Sequence, residues 1–279
     1  MGYQKRLSKA FLKANVLPLC PNSRLVLISD CHRGQGNSND NFLKNQHLYF
    51  YALSYYFDKG YTYVELGDGD ELWENRNFSD ILEIHSNVFW LFEAFHRQNR
   101  IYMIYGNHDM EKKYHSCPLQ VPCQEALILK DCCTSHYFYL THGHQADTLN
   151  STFWKLSRFL VRYLWKPLEA FGVLDPTSAA KNYSVKKTTE KRLEHWAEKQ
   201  NVTLIAGHTH RSVLDVDHPH YINTGSCVHP RCITCIEIAN NSISLVKWSM
   251  EAKGDATLYV ARKVLNGPIP LQEFYSSTS

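Results

Sequence analysis

Hydrophobic and polar positions in the first hundred residues follow two periods in turn. Residues 24–29, Arg-Leu-Val-Leu-Ile-Ser, are the kind of apolar run found in a strand buried on both faces. Residues 41–59 follow the repeat of a helix and stop at Gly60, a natural C-cap. A strand is expected at 61–66, a second helical stretch at 78–98 and a third strand at 101–105. This β-α-β-α-β order predicts a parallel sheet covered by helices. Upstream, residues 1–15 read as a short basic amphipathic helix. Downstream, strand-like runs at 126–129, 137–140, 203–206, 213–216, 232–238 and 242–247 make the second half β-rich and mixed, with Asn240-Asn241 as a hairpin turn. Residues 148–200 interrupt those runs and read as a helical insertion. The expected fold class is α/β, one domain over residues 1–279 with a helical cap or lid at 148–200.

Composition narrows the function classes. A chain of 279 residues with 44% hydrophobic and 13% aromatic residues has ample material for a core, which excludes global disorder. The net charge of +3 is too small to point to nucleic acid. It is also unevenly spread: residues 148–200 hold ten Lys/Arg against five Asp/Glu, a net of +5, and the rest of the chain carries −2. The N-terminus shows no apolar stretch and cleavage site of a signal peptide, and Ser8 lies too far from Gly2 for the myristoylation pattern. No apolar run reaches the length of a membrane span. Nine cysteines, an odd number without framework spacing, fit a reducing compartment, so a cytoplasmic location is expected. Cys232 and Cys235 are three apart on a strand-like run and face opposite sides, so they read as core rather than as a chelating pair.

The chemistry gathers just after the predicted strands. Asp30-Cys31-His32 follows the first, Gly67-Asp68 the second and Gly106-Asn107-His108-Asp109 the third; His142-Gly143-His144 follows 137–140 and Gly207-His208-Thr209-His210 follows 203–206. Ligands of open α/β sheets collect outside the carboxyl ends of strands, so five such clusters converge on one crevice. Asp, Asn and His are donors for Mn, Fe or Zn rather than calcium. The segment 66–75, LGDGDELWEN, packs four carboxylates and a tryptophan into ten residues. Read alone it is a solvated acidic loop; among the other clusters it belongs to a two-metal site.

These motifs resemble the calcineurin-like metallophosphoesterase superfamily, whose signature runs Asp-x-His, Gly-Asp-x-x-Asp/Glu, Gly-Asn-His-Asp/Glu, His and Gly-His-x-His. The resemblance spans about residues 24 to 226 and implies two mixed β-sheets sandwiched between helices. It implies that Asp30, His32, Asp68 and His210 bind one metal, and that Asp68, Asn107, His142 and His208 bind the other, with Asp68 as the bridge. His142 is chosen over His144 because it sits nearer the strand end. Two such ions, most simply Mn²⁺ with Fe or Zn as alternatives, would acidify a bridging water to hydroxide and stabilise the phosphoryl centre under attack. His108 would protonate the leaving oxygen or stabilise the transition state. Asp109 would orient His108 or cap a helix. Glu71 holds the second acidic position and would orient a neighbouring ligand. Arg33 would contact the phosphate or lie at the surface, and Trp73 would wall the cleft or pack. His144 and Arg211 complete the candidate substrate contacts. Asp70 and Glu74 have no assigned role.

Within the superfamily, LISDCHRG, GDGDELWEN, THGHQAD, AGHTHR and YINTGS look like the UDP-2,3-diacylglucosamine hydrolase-like branch. Its best-known members cleave a pyrophosphate in a lipid-linked sugar nucleotide. The chain departs from that branch at His108, where arginine is common, and at His144, where aspartate is usual; both departures favour a general phosphodiesterase arrangement. In the insertion, Lys155, Arg158, Arg162 and Lys166 share one stripe of a predicted helix rich in bulky apolar residues. Such a helix suits an anionic membrane surface, a lid over an amphiphilic substrate or a packed cap. Residues 178–199 read as a second, more polar helix of the same cap. Residues 221–226 would line the site or form a plain strand-to-turn element. The resulting expectation is a binuclear-metal phosphoesterase for a phosphodiester or pyrophosphate of a small molecule or lipid-linked nucleotide. Phosphoprotein or phosphomonoester phosphatase and nuclease are the alternatives, and the absence of a broad basic track argues against nuclease. A metal-poor scaffold would show eroded ligands, whereas every expected donor type is present.

Overall fold

A computed structural model describes residues 2–37, 40–75, 77–114, 121–134, 136–147, 154–161, 163 and 183–275. In chain order the main elements are α1 (Tyr3–Phe11), β1 (Asn15–Leu19), β2 (Arg24–Ile28), α2 (Gln46–Asp58), β3 (Thr62–Leu66), α3 (Phe78–Ile84), α4 (Ser86–Arg97), β4 (Ile101–Ile104), β5 (Cys123–Gln124), β6 (Ala126–Asp131) and β7 (Tyr137–Thr141). They continue with α5 (Trp154–Leu160), α6 (Tyr183–Gln200), β8 (Thr203–Ala206), β9 (Tyr221–Asn223), β10 (Cys232–Ala239), β11 (Ser242–Ala252) and β12 (Leu258–Pro270). One sheet has five strands in the order β1-β6-β7-β8-β9 and the other seven, β12-β11-β10-β2-β3-β4-β5.

The sheets stack face to face because each strand near the middle is apolar on both sides. Leu27, Val64 and Leu66 from one sheet meet Leu127, Phe138, Leu140 and Ile205 from the other in a buried middle layer. The opposite face of the seven-stranded sheet is covered by α2, α3 and α4, with Tyr49, Tyr56, Phe92 and Phe95 pointing inward at helical spacing. The far face of the five-stranded sheet is covered by α1 and α6 through Leu7, Phe11, Leu193 and Trp196. This is the expected α/β class, with two mixed sheets between helices.

Within the seven-stranded sheet β2, β3, β4 and β5 run parallel, and β7, β8 and β9 do so in the other. Their carboxyl ends therefore carry all five motif loops. Asn240 and Asn241 both have positive φ, 52° and 55°, and close the β10–β11 hairpin as expected.

Several expectations are corrected. Residues 213–216 form no strand; Val213 makes one isolated bridge to Asn223. The helical stretch 78–98 is two helices, broken at His85, whose ring turns inward to Asp40 at 3.0 Å. Strands β1 and β12 were not expected, and both lie at sheet edges. Cys20 and Cys132 are disulfide-bonded, so cysteine usage no longer argues for a reducing compartment. No helix among the described residues is long and apolar enough to cross a membrane. Of the insertion, α5 and α6 are described; Arg162 and Lys166 of the basic stripe lie outside the described residues, and so does the side chain of Lys155. Arg158 contacts Glu111.

Candidate metal centre

The motif loops extend the parallel ladder past the strand ends. Asp30 N donates to Gly67 O at 3.0 Å, His32 N to Asp68 O at 2.9 Å and Gly207 N to His142 O at 2.9 Å. Asp30, His32, Asp68, His208 and His210 all take left-handed backbone angles, with φ between 51° and 69°. Non-glycine residues hold that region only where the surroundings over-determine it. Two motif glycines admit the close approach: a Cβ at Gly106 would overlap Asp68 Oδ1, and one at Gly207 would overlap the Ser29 hydroxyl.

Four of the candidate ligands, Asp30, His32, Asp68 and His142, have one atom fixed from behind, which turns the other toward a common centre. Asp68 Oδ1 accepts from His108 N at 2.8 Å, leaving Oδ2 inward. Asp30 Oδ2 accepts from His208 N at 3.0 Å and from Ser29 Oγ, leaving Oδ1 inward. His142 Nδ1 donates to Leu66 O at 3.0 Å, and His32 Nδ1 pairs with Glu71 at 2.9 Å, so both rings present Nε2. The inward atoms cluster tightly. Asp30 Oδ1 is 3.1 Å from His210 Nε2 and 3.9 Å from His32 Nε2; Asp68 Oδ2 is 3.1 Å from His142 Nε2 and 3.8 Å from His32 Nε2. Two donors on one ion at about 2.1 Å stand about 3.0–3.4 Å apart, so the two 3.1 Å separations suit shared coordination, while His32 Nε2 stands wider, at 3.8 and 3.9 Å.

Two triads result, Asp30/His32/His210 and Asp68/His142/His208, each with its donor atoms within 4.8 Å of one another. Asp30 Oδ1, His32 Nε2, Asn107 Oδ1, His142 Nε2 and His208 Nε2 are buried yet make no hydrogen bond among the described residues. Unsatisfied buried donors and acceptors are costly, and cations would satisfy all five at once. The donor set fits two divalent metals.

Electrostatics point the same way. Burial opposes protonation of His32, but Glu71, Asp68 and Asp30 outweigh it and push its pKa up to about 10. Asp68 and Asp30 likewise overcome burial to bring His142 to about 9. Burial favours the neutral form of Asp30, yet His210 and His142 hold it at about 2. The carboxylates draw positive charge to the same lone pairs that a cation would take.

The other candidates separate into two groups. His108 keeps its side chain partly exposed, stacks on Trp73 at 4.3 Å and meets Glu71 through Nδ1 at 2.8 Å. Glu71 thus grips a candidate ligand, His32, and His108 together. Trp73 is buried beneath His108 and does not form an open wall of the cleft. His144 is buried 5.6 Å from the His142 ring. Arg211 is half exposed and clasped by Glu190.

Arg33 and Asp109 are corrected. Arg33 is fully buried, paired with Glu65 at 2.8 Å and Asp70 at 2.7 Å, and is turned away from any phosphate. The left-handed backbone at His32 separates the two directions: Arg33 reaches Glu65 and Asp70, whereas His32 reaches Asp30 and Asp68. Asp109 does not orient His108. It accepts from Gly106 N at 2.6 Å and Gly69 N at 3.1 Å, and it pairs with Lys112 at 2.8 Å, tying two motif loops together. Asp70 now has a place, between Arg33 and Lys112. The acidic trio Glu65, Asp70 and Asp109 also has metal-like spacing, but those two side-chain cations already fill it.

Sequence reasoning missed Asp147, buried with Oδ2 3.9 Å from His208 Nε2, though it closes the THGHQAD motif. It also missed Ser29, Lys112 and Glu190, which no spacing distinguishes. Within 221–226, Asn223 donates to Gly207 O at 2.7 Å and Thr224 meets Ser29 at 2.6 Å, so this segment braces the site from below.

The family model for calcineurin-like phosphoesterases matches residues 23–212, more than half of the chain. The chain belongs to the calcineurin-like phosphoesterase family. Membership makes it a metal-dependent phosphoester hydrolase, and the matched span covers every candidate ligand. Among solved structures, this calcineurin-like phosphoesterase is similar to Chaetomium thermophilum Vps29, with 13% identity over 88% of this chain and 96% of that one and a TM-score of 0.41. It is also similar to a dimetal phosphatase from Danio rerio, with 12% identity over 90% and 98% of the two chains and a TM-score of 0.43. A third is a cold-active protein-tyrosine phosphatase of a psychrophilic Shewanella, at 15% identity over 90% and 83% with a TM-score of 0.42. A comparison with curated proteins finds no match.

Proposed function

We propose that the protein is a binuclear-metal hydrolase of phosphodiester or pyrophosphate bonds, acting on a small molecule such as a nucleotide- or lipid-linked phosphoester. One observation carries the reading: Asp68 Oδ2 stands between the triads, 3.1 Å from His142 Nε2 and 3.8 Å from His32 Nε2, which supports its role as a shared ligand. Asp30, His32, Asp68 and His210 would hold one ion, and Asp68, Asn107, His142 and His208 the other. Mn²⁺ is the proposed metal, with Fe and Zn sharing the donor preference. Such a pair supplies an activated water and offsets charge on the phosphoryl group.

The chain's own residues do the rest. Glu71 holds His108 through Nδ1 and Trp73 stacks against its ring, so Nε2 is free to donate a proton to the leaving oxygen. Peripheral membrane contact through residues 148–200 belongs to the same proposal. It is supported by the net charge of +5 in that segment.

The test is a substrate panel with Mn²⁺: bis-p-nitrophenyl phosphate, p-nitrophenyl phosphate, cyclic nucleotides and a sugar nucleotide diphosphate. The diester or pyrophosphate is expected to turn over fastest, with activity lost on chelation and restored by Mn²⁺. A clear preference for the monoester overturns the substrate class, and no turnover with any divalent metal overturns the whole reading. Flotation with anionic liposomes, with and without residues 150–175, tests the membrane contact; equal recovery rejects it.

A further inference from the structure

The turn Gly207-His208-Thr209-His210 sends its two histidines to different triads. The shape of this turn therefore fixes how far apart two ions would sit. Both histidines are in the left-handed region, φ 69° and 55°, so something outside the turn must hold it there. Asn223 holds its start, at Gly207 O. The fully buried Thr209, between the two ligands, donates Oγ1 to Glu190 Oε1 at 2.8 Å. Arg211, next to His210, clasps both oxygens of Glu190 at 2.6 to 3.1 Å.

Glu190 belongs to α6, the helix that closes the 148–200 segment, and it is itself buried. Two residues later, Arg192 donates to Ala146 O at 3.0 Å, just beyond the His142–Gly143–His144 turn, while Arg6 of α1 donates to the adjacent Gln145 O at 2.8 Å. One helix thus reaches both histidine turns from outside.

We infer that Glu190 is a positioning residue that sets the separation of His208 and His210, and through it the coupling between two bound metals. It touches neither metal position and acts through Thr209. Without Glu190, the Thr209 hydroxyl and the Arg211 guanidinium lose a shared acceptor, and nothing from α6 opposes relaxation of the strained turn. The inference rests on the two-metal reading.

The test titrates metal-free protein with Mn²⁺ and follows it by electron paramagnetic resonance, which separates a spin-coupled pair from isolated ions. Wild type is expected to give the coupled signal. Glu190→Ala and Thr209→Val are expected to bind about 10–100-fold more weakly and to show isolated ions at intermediate loading. Glu190→Gln keeps an oxygen for Thr209 and is expected to restore the coupled signal. If Glu190→Ala fails to fold by circular dichroism, Thr209→Val decides. Wild-type affinity with a coupled signal in Thr209→Val overturns the inference, as does a loss in Glu190→Gln equal to that in Glu190→Ala. A wild type that binds no Mn²⁺ overturns the two-metal reading instead, so the two failures are distinct.

Discussion

Lys112 offers a direct test of the charge network beneath the metal centre. Its ammonium lies 2.6 Å from Asp70, 2.8 Å from Asp109 and 3.6 Å from Glu65, with Arg33 as the second cation of the group. Lys112→Met keeps most of the aliphatic stem and deletes the charge, leaving three buried carboxylates to share one guanidinium. Removing one partner of a buried ion pair costs about 3–5 kcal/mol, because the surviving charge is uncompensated. Burial already raises the pKa of Asp109 against the pull of Lys112, so this carboxyl can take up a proton and relieve part of the loss. The lower end, about 3 kcal/mol, is therefore expected. At about 2–4 °C per kcal/mol for a chain of this size, the melting temperature falls by about 6–12 °C. Urea unfolding and thermal melting should be run in chelator, so that metal binding adds no stability of its own. Adding Asp109→Asn removes a carboxylate along with the ammonium and should recover part of the loss. A cost below about 1 kcal/mol in the single variant, or no recovery in the double one, refutes the reasoning.

Three further outcomes are expected. His108→Ala should lower turnover about 100- to 10,000-fold with two metals still bound per chain; loss of metal by elemental analysis would make His108 a ligand instead. Glu71→Gln should weaken metal binding about 10–100-fold and lower turnover as well, since one carboxylate holds both His32 and His108; an unchanged Mn²⁺ titration would count against that double grip. Burial, aided by His220 and opposed by Asp131, depresses His136 to about 4, so the fold prefers its neutral ring. That stability is present above pH 6.5 and is lost as pH falls through 6.5 to about 4; with solvent screening of this partly exposed ring it amounts to about 1–2 kcal/mol. His136→Gln should flatten the melting temperature across this window, and parallel wild-type and variant curves would refute the assignment.

The candidate ligands were legible in the sequence because each stands at the end of an apolar run, where strand chemistry and donor chemistry meet in consecutive letters. Arg33 was legible as a residue but not as a role. Its direction depends on the bridge to Asp70 continuing the ladder past β2, which no letter records. Contacts between distant segments were not legible either. Glu190 is 19 residues from Thr209 and reads as one more charge on a polar helix. Strand β12 was missed because, at the edge, it exposes both faces and shows no alternation, and Gly267, Pro268 and Pro270 read as a breaker. Strand β1 contains Pro18, which an edge position tolerates. Residue Asp147 was overlooked because its role depends on the turn that brings it back to His208.

The left-handed backbone at Asp30, His32, Asp68, His208 and His210 limits which replacements can serve at those positions. Glutamate and cysteine are good donors for these metals, but asparagine, aspartate and histidine are the side chains that visit this region most readily. A substitution scan of the centre would therefore rank residues by stereochemistry as well as by affinity. Asp30→Asn and Asp68→Asn remove charge while keeping shape and backbone, whereas glutamate or alanine at the same places confounds lost coordination with a relaxed turn. Any attempt to retune the centre for another metal must begin from residues that the turns will accept.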